Sequence, residues 1–276
     1  METTDSPDVA DGSKSRPPGA ASSSGKTESP VNPDAVRERL DRVYDPELDR
    51  SIVELQYIKT IDIDGSTVTV TFVLPTAWCS PAFAWMMATG IRDEVSALPA
   101  VSSVTVRLPD HMHGDEITTG VNREMSFESV FEDAEDGIEA VRRKLDRKSR
   151  FARQHGAIKT LRQAGLDPDQ IAPLTRAEVD LEHRSDLAAV RVRDGALTIT
   201  VAREPLADYL AKARETGLVT DETDRLFADR EGDPLDPEPE AFDSTLRDAR
   251  LASANIEGQA TICESLHESR NGVDFD

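Results

Sequence analysis

The chain of 276 residues is long enough for two modest domains or one domain with extensions, and 38% of its residues are hydrophobic against 31% charged. Its formal net charge of −21 is spread along the whole length, which argues against a nucleic-acid partner, because a phosphate backbone needs clustered Lys and Arg. No apolar run is long enough to span a bilayer and the start Met1-Glu2-Thr3-Thr4-Asp5 is acidic where a secretion signal is basic, so a cytoplasmic protein with no membrane partner is expected.

Residues 1–31 are Ser, Gly, Pro, Asp and Thr with almost no large apolar side chain, and they are expected to be a disordered tail. Order is expected from Asn32-Pro33, an N-cap with proline at the first helical position, followed by Val36, Leu40, Val43 and Tyr44 on one helix face. Asp45-Pro46 ends that helix. Tyr57 to Ile63 alternates as a strand, Asp64-Gly65 signals a hairpin turn, and Ser66 to Leu74 returns as a second strand rich in β-branched residues. A helix is predicted from Pro81 to about Leu98, and a third strand over Val101 to Leu108 that must cross over to join the hairpin. The fold class is therefore α+β: a small α-β-β-α-β domain with a mixed sheet over residues 32–110, then a helical and small-sheet extension.

In that extension, residues 111–228, the stretch 125–165 is expected to be largely helical, with a basic run from Arg142 to Arg150 that reads as a docking surface or a solvated helix face. A second hairpin is expected over residues 188–201 around Asp194-Gly195, then a helix over 205–213. Residues 229–240 read as an acidic, proline-rich linker, and 241–276 as a final helical segment with a break near Gly258. The dispersed carboxylates suit a halophile-like, salt-screened cytoplasm, or else an acidic bacterial composition that prefers Arg.

Cys79 is one of two cysteines and lies one position before the helix opened by Ser80 and Pro81, where unpaired backbone N–H groups favour a thiolate. A working thiol and a small buried side chain are both open readings. Asp45 and Glu47 can be turn formers or site carboxylates. Cys263 and His267 stand four apart on one helical face, a spacing that lets two side chains grip a metal, although no second pair accompanies them. His111 and His113 flank Met112 in a loop and could ligate; His155 and His183 have no companions. No P-loop, dinucleotide fingerprint, nucleophile elbow or zinc-protease motif is present.

Thr76 and Cys79 after the second strand, with Asp45-Pro46-Glu47 after the first helix, resemble the signature of the metal-sulfur cluster assembly family of PaaD-like and SufT-like proteins, over residues 34–108. Ser80 intervenes between Cys79 and Pro81, where the family usually places the proline directly after the cysteine. The resemblance implies a maturation factor rather than a catalyst, one that handles an iron-sulfur cluster or iron with Cys79 as transient ligand, and Asp45, Glu47 and Thr76 as supporting positions. Its implied partner is a client metalloprotein or iron-sulfur carrier, a multicomponent oxygenase among them. One cysteine cannot hold a cluster, so further ligands must come from Cys263 and His267, from a client or from a second subunit, as in a homodimer. A metal-free scaffold that binds and stabilises a client is the alternative. If Cys263 and His267 act with Cys79, the carboxy-terminal helix must fold back across the first domain.

Overall fold

Asn32 caps the first helix by accepting a hydrogen bond from the Asp34 backbone N–H at 2.9 Å. The computed structural model describes residues 31–133 and 137–271, so the tail expected over 1–31 lies outside the described residues apart from Val31, which is buried. Helix α1 (Pro33–Leu40) leads into a short antiparallel pair, β1 (Tyr44–Asp45) and β2 (Arg50–Ser51). Strands β3 (Ile58–Asp64) and β4 (Thr67–Phe72) form the expected hairpin, with Gly65 at φ 61 in its turn, a backbone region that favours glycine. Helix α2 (Pro81–Ser96) then carries the chain over to β5 (Ser103–Arg107), which pairs in parallel with β4. The sheet order is β3-β4-β5, a mixed sheet with β4 in the centre. This is the α+β arrangement that the alternation of residues implied.

The sheet's inner face supplies Val68, Val70 and Phe72, which share one core with Ala84, Met87, Ile91 and Val95 of α2. Burying each of the larger side chains contributes about 1.5–3 kcal/mol, and truncating Phe72 to Ala would cost about 3–5 kcal/mol. That core runs on past residue 110. Helix α3 (Gly114–Asn122) adds Ile117 and Val121, and α4 (Phe127–Val130) adds Phe127. Asn122 seals the sheet edge: its Oδ1 accepts from the Val106 N–H at 2.8 Å and its Nδ2 donates to the Val106 carbonyl at 2.9 Å.

The rest is built on α5 (Ile138–Gln163), α6 (Pro168–Ile171), a sheet of β6 (Val179–Asp180), β7 (Leu187–Val192) and β8 (Leu197–Ala202) in that order, α7 (Arg203–Glu215) and α8 (Pro239–Asn271). It has its own core, in which Ile158, Leu161, Val190, Tyr209 and Phe227 are buried together. Residues 229–240 do not run as an open linker along their whole length. Asp229 Oδ1 accepts the backbone N–H groups of Glu231, Gly232 and Asp233, Leu235 is buried, and α8 already starts at Pro239. Nor does α8 break at Gly258. A helical glycine costs about 1 kcal/mol against alanine, and the packing of Ala249, Ala252 and Ile256 on Phe151 and Ala152 of α5 outweighs it.

An ion pair ties extension to first domain. Arg153 of α5 reaches the Asp49 carboxylate with both Nε and Nη2, at 2.5 and 2.9 Å, where little of the Asp49 side chain meets solvent.

Candidate functional site

After β4 the chain passes through Leu74 and Pro75, both buried, to Ser80, the N-cap of α2, with Pro81 at the first helical position. Cys79 therefore stands one residue outside the helix, as its spacing required. Thr76 folds the intervening turn: its Oγ1 accepts the Trp78 N–H at 3.2 Å and lies 3.4 Å from Cys79 Sγ. Cys79 is half-buried, whereas Trp78 beside it is 74% exposed.

The loop after β5 grips this turn from the other side. A Cβ at Gly114 would stand 2.3 Å from the Leu108 carbonyl oxygen, so only glycine lets α3 begin so close to the strand end. The loop between them is thereby drawn towards residues 77–79. Met112 N–H donates to the Ala77 carbonyl at 2.9 Å. His111 Nδ1 accepts the His113 N–H at 3.1 Å, which leaves Nε2 as the protonated nitrogen, donating to the Cys79 carbonyl at 2.9 Å. Burial holds the His111 imidazole below its ordinary pKa, in keeping with the neutral ring this arrangement needs.

Helix α8 closes the third side. Ala260 and Cys263 pack against the first core, Glu264 pairs with Arg50, and Gln259 Nε2 donates to Glu47 Oε1 at 3.2 Å. One turn further on, His267 Nε2 donates to the Gln56 carbonyl at 3.1 Å, and its ring lies 5.3 Å from that of Tyr57. Arg270 then bridges the two loops, with Nη1 on the Leu74 carbonyl at 3.2 Å and Nη2 on the Asp110 carbonyl at 2.6 Å. The carboxy-terminal helix thus does return across the first domain, and Cys263 and Cys79 both pack against that domain's core. Among the described residues, however, no group of three His, Cys, Asp or Glu side chains is gathered so as to hold one metal ion.

Asp45 is buried and its Oδ1 accepts the Glu47 N–H at 2.9 Å and the Leu48 N–H at 3.1 Å, the turn-forming role open to an Asp-Pro step. Burial pushes its pKa up, while those two backbone bonds pull the other way. The Cys263 thiol is pushed up to about 11, first by burial and then by the negative charges of Asp45, Cys79, Glu47 and Glu264. It is a protonated thiol at neutral pH, and a metal would have to displace that proton.

Residues 33–107 match the family model described as iron-sulfur cluster assembly protein. Over those residues the first domain is similar to iron-sulfur cluster assembly proteins. The match begins at α1 and ends at β5, so the family segment holds Asp45, Glu47, Thr76 and Cys79, whereas His111, Cys263, His267 and Arg270 come from sequence beyond it. A comparison with curated proteins gave no match. No helix among the described residues is long and apolar enough to cross a membrane.

Sequence reasoning weighed His111 as a possible ligand rather than as the support of the Cys79 turn, and it missed Tyr57 and Arg270 as parts of this site. Their partners are backbone carbonyls or distant side chains, and pairings of that kind leave no periodic trace in a sequence. The glycine at 114 was the one local sign that the loop before it is held tightly.

Proposed function

We propose that the protein accepts iron or an iron-sulfur cluster as cargo in the cytoplasm and passes it to a client metalloprotein or iron-sulfur carrier. The observation that carries this reading is that Cys79, in the segment that matches the family model, and Cys263, on α8, both pack against the core of the first domain. Thr76 and His111 orient the Cys79 turn. Cys263 is the second thiol; because it is protonated when empty, loading releases a proton and strengthens as pH rises. Two thiolates leave the remaining coordination positions of iron open to a client's ligands, and incomplete ligation of that kind suits cargo in transit. His267, engaged with the Gln56 carbonyl, anchors α8 in this account. A multicomponent oxygenase is the proposed client, and the role is that of an accessory factor.

The test is transfer. Chain loaded anaerobically with iron and sulfide is mixed with an apo-ferredoxin as acceptor, and the acceptor's absorption is followed. Faster loading than from free iron and sulfide, lost in Cys79→Ser, is expected. Equal rates from the loaded chain and from free ions would overturn the reading in favour of a metal-free scaffold.

A further inference from the structure

The basic run from Arg142 to Arg150 ends on a side chain that faces no solvent. Arg150 is 2% exposed. Its Nη2 donates to the Asp229 carbonyl at 2.8 Å, and its Nη1 has no hydrogen-bond partner. One turn further along α5, Gln154 is fully buried. Its Oε1 accepts the Ala228 N–H at 3.1 Å, which fixes the orientation of the amide, and its Nε2 is left unpartnered. The two side chains thus reach consecutive residues of one segment, Ala228 and Asp229, and each brings a spare N–H donor.

A guanidinium stays charged inside a protein, and a buried charge is costly unless a counter-charge meets it. No described carboxylate pairs with Arg150. Asp146, one turn before it, is held by Lys212 Nζ at 2.8 Å. The Asp229 carboxylate serves its own turn, where Oδ1 accepts three backbone N–H groups. Tyr209, whose hydroxyl lies 3.2 Å from Gln154 Oε1, brings no charge either: burial keeps the phenol protonated, and its hydroxyl donates to the Leu226 carbonyl. A water molecule satisfies two spare donors but leaves the charge unbalanced.

We propose that Arg150 Nη1 and Gln154 Nε2 hold a small monovalent anion, chloride, beneath the segment 226–229. One negative charge balances one guanidinium, and an ion that only accepts hydrogen bonds suits a pair of N–H donors. The ion fastens α5 to the segment that links α7 to α8. This site is independent of the Cys79 turn.

The full chain is compared with Gln154→Glu and Arg150→Met. The first variant keeps an oxygen for the Ala228 N–H and sets a second carboxylate oxygen in place of Nε2, so the chain supplies its own counter-charge. The second removes the charge and stands in should the first fail to fold. Thermal midpoints are measured in potassium chloride, potassium bromide and potassium gluconate at equal ionic strength, so that screening is common to all three salts and gluconate is too large for a buried two-donor site. Relative to gluconate, chloride and bromide should raise the wild-type midpoint more than that of either variant, with a gain that saturates. The same salt response in all three chains would overturn the proposal. Wild-type crystals grown in bromide should show an anomalous peak at hydrogen-bond distance from Arg150 Nη1 and Gln154 Nε2. Density there without an anomalous signal would mean a water only, and would overturn it as well.

Discussion

His111 Nε2 donates to the carbonyl oxygen of Cys79 at 2.9 Å, so the loop after β5 holds the turn that carries the thiol. His111→Ala removes that bond and the one from His113 N–H. At about 1 kcal/mol for each bond, the variant should lose about 1–2 kcal/mol in urea unfolding and should show faster alkylation of Cys79 at fixed pH. Unchanged alkylation would mean that the turn keeps its shape without the imidazole.

The folded chain holds His111, His155 and His267 below the ordinary value of 6.5, burial being the largest cause for each. The unfolded chain therefore binds more protons just below that value, so this contribution to stability is complete above pH 6.5 and is lost as pH falls through the lower native values. Asp45 and Asp208 are shifted upward and oppose the trend at more acidic pH. The decline should thus be clearest between about pH 6.5 and 5. His155→Gln, away from the thiols, should shrink it in unfolding curves taken across that range; an unaltered pH profile would contradict the assignment.

Asp49 and Arg153 make a sharper test of how the extension is fixed. Asp49→Ala leaves a largely buried guanidinium without its carboxylate, though Nη1 still donates to the Asp208 carbonyl, and should cost about 3 kcal/mol, whereas replacing both residues by apolar ones of similar size should restore most of the loss. A double-mutant cycle measures the coupling. A coupling near zero would show that the contacts of α8 with the first domain hold the two parts together without help from this pair.

The hairpins were legible because Asp64-Gly65 and Asp194-Gly195 announce turns in residues that tolerate positive φ, at 61 for Gly65 and 82 for Gly195. Cys79 was legible because Ser80-Pro81 marks a helix start. The pinned turn at Asp229 was not: its carboxylate collects three N–H groups in a stretch whose Asp and Pro content reads as linker. The length of α8 was hidden by Gly258, since only the alanine face against α5 decides that the helix continues. Tyr57 read as a strand residue, which describes its backbone neighbourhood and gives no sign that its ring packs against His267 of a helix some two hundred residues later.

With a net charge of −21, the chain should gain stability as molar potassium chloride screens its carboxylates, and the gain should level off once neighbouring charges are screened. The thermal midpoint against salt checks this. A flat or falling curve would count against the salt-adapted composition.

The most direct measurement is the iron and acid-labile sulfide content of chain purified under anaerobic conditions, for the wild type, Cys79→Ala and Cys263→Ala. The account predicts bound iron in the wild type, its loss in Cys79→Ala, and weaker retention in Cys263→Ala, with all three chains unfolding cooperatively. Iron absent from the wild type, or retained undiminished in Cys79→Ala, would contradict it.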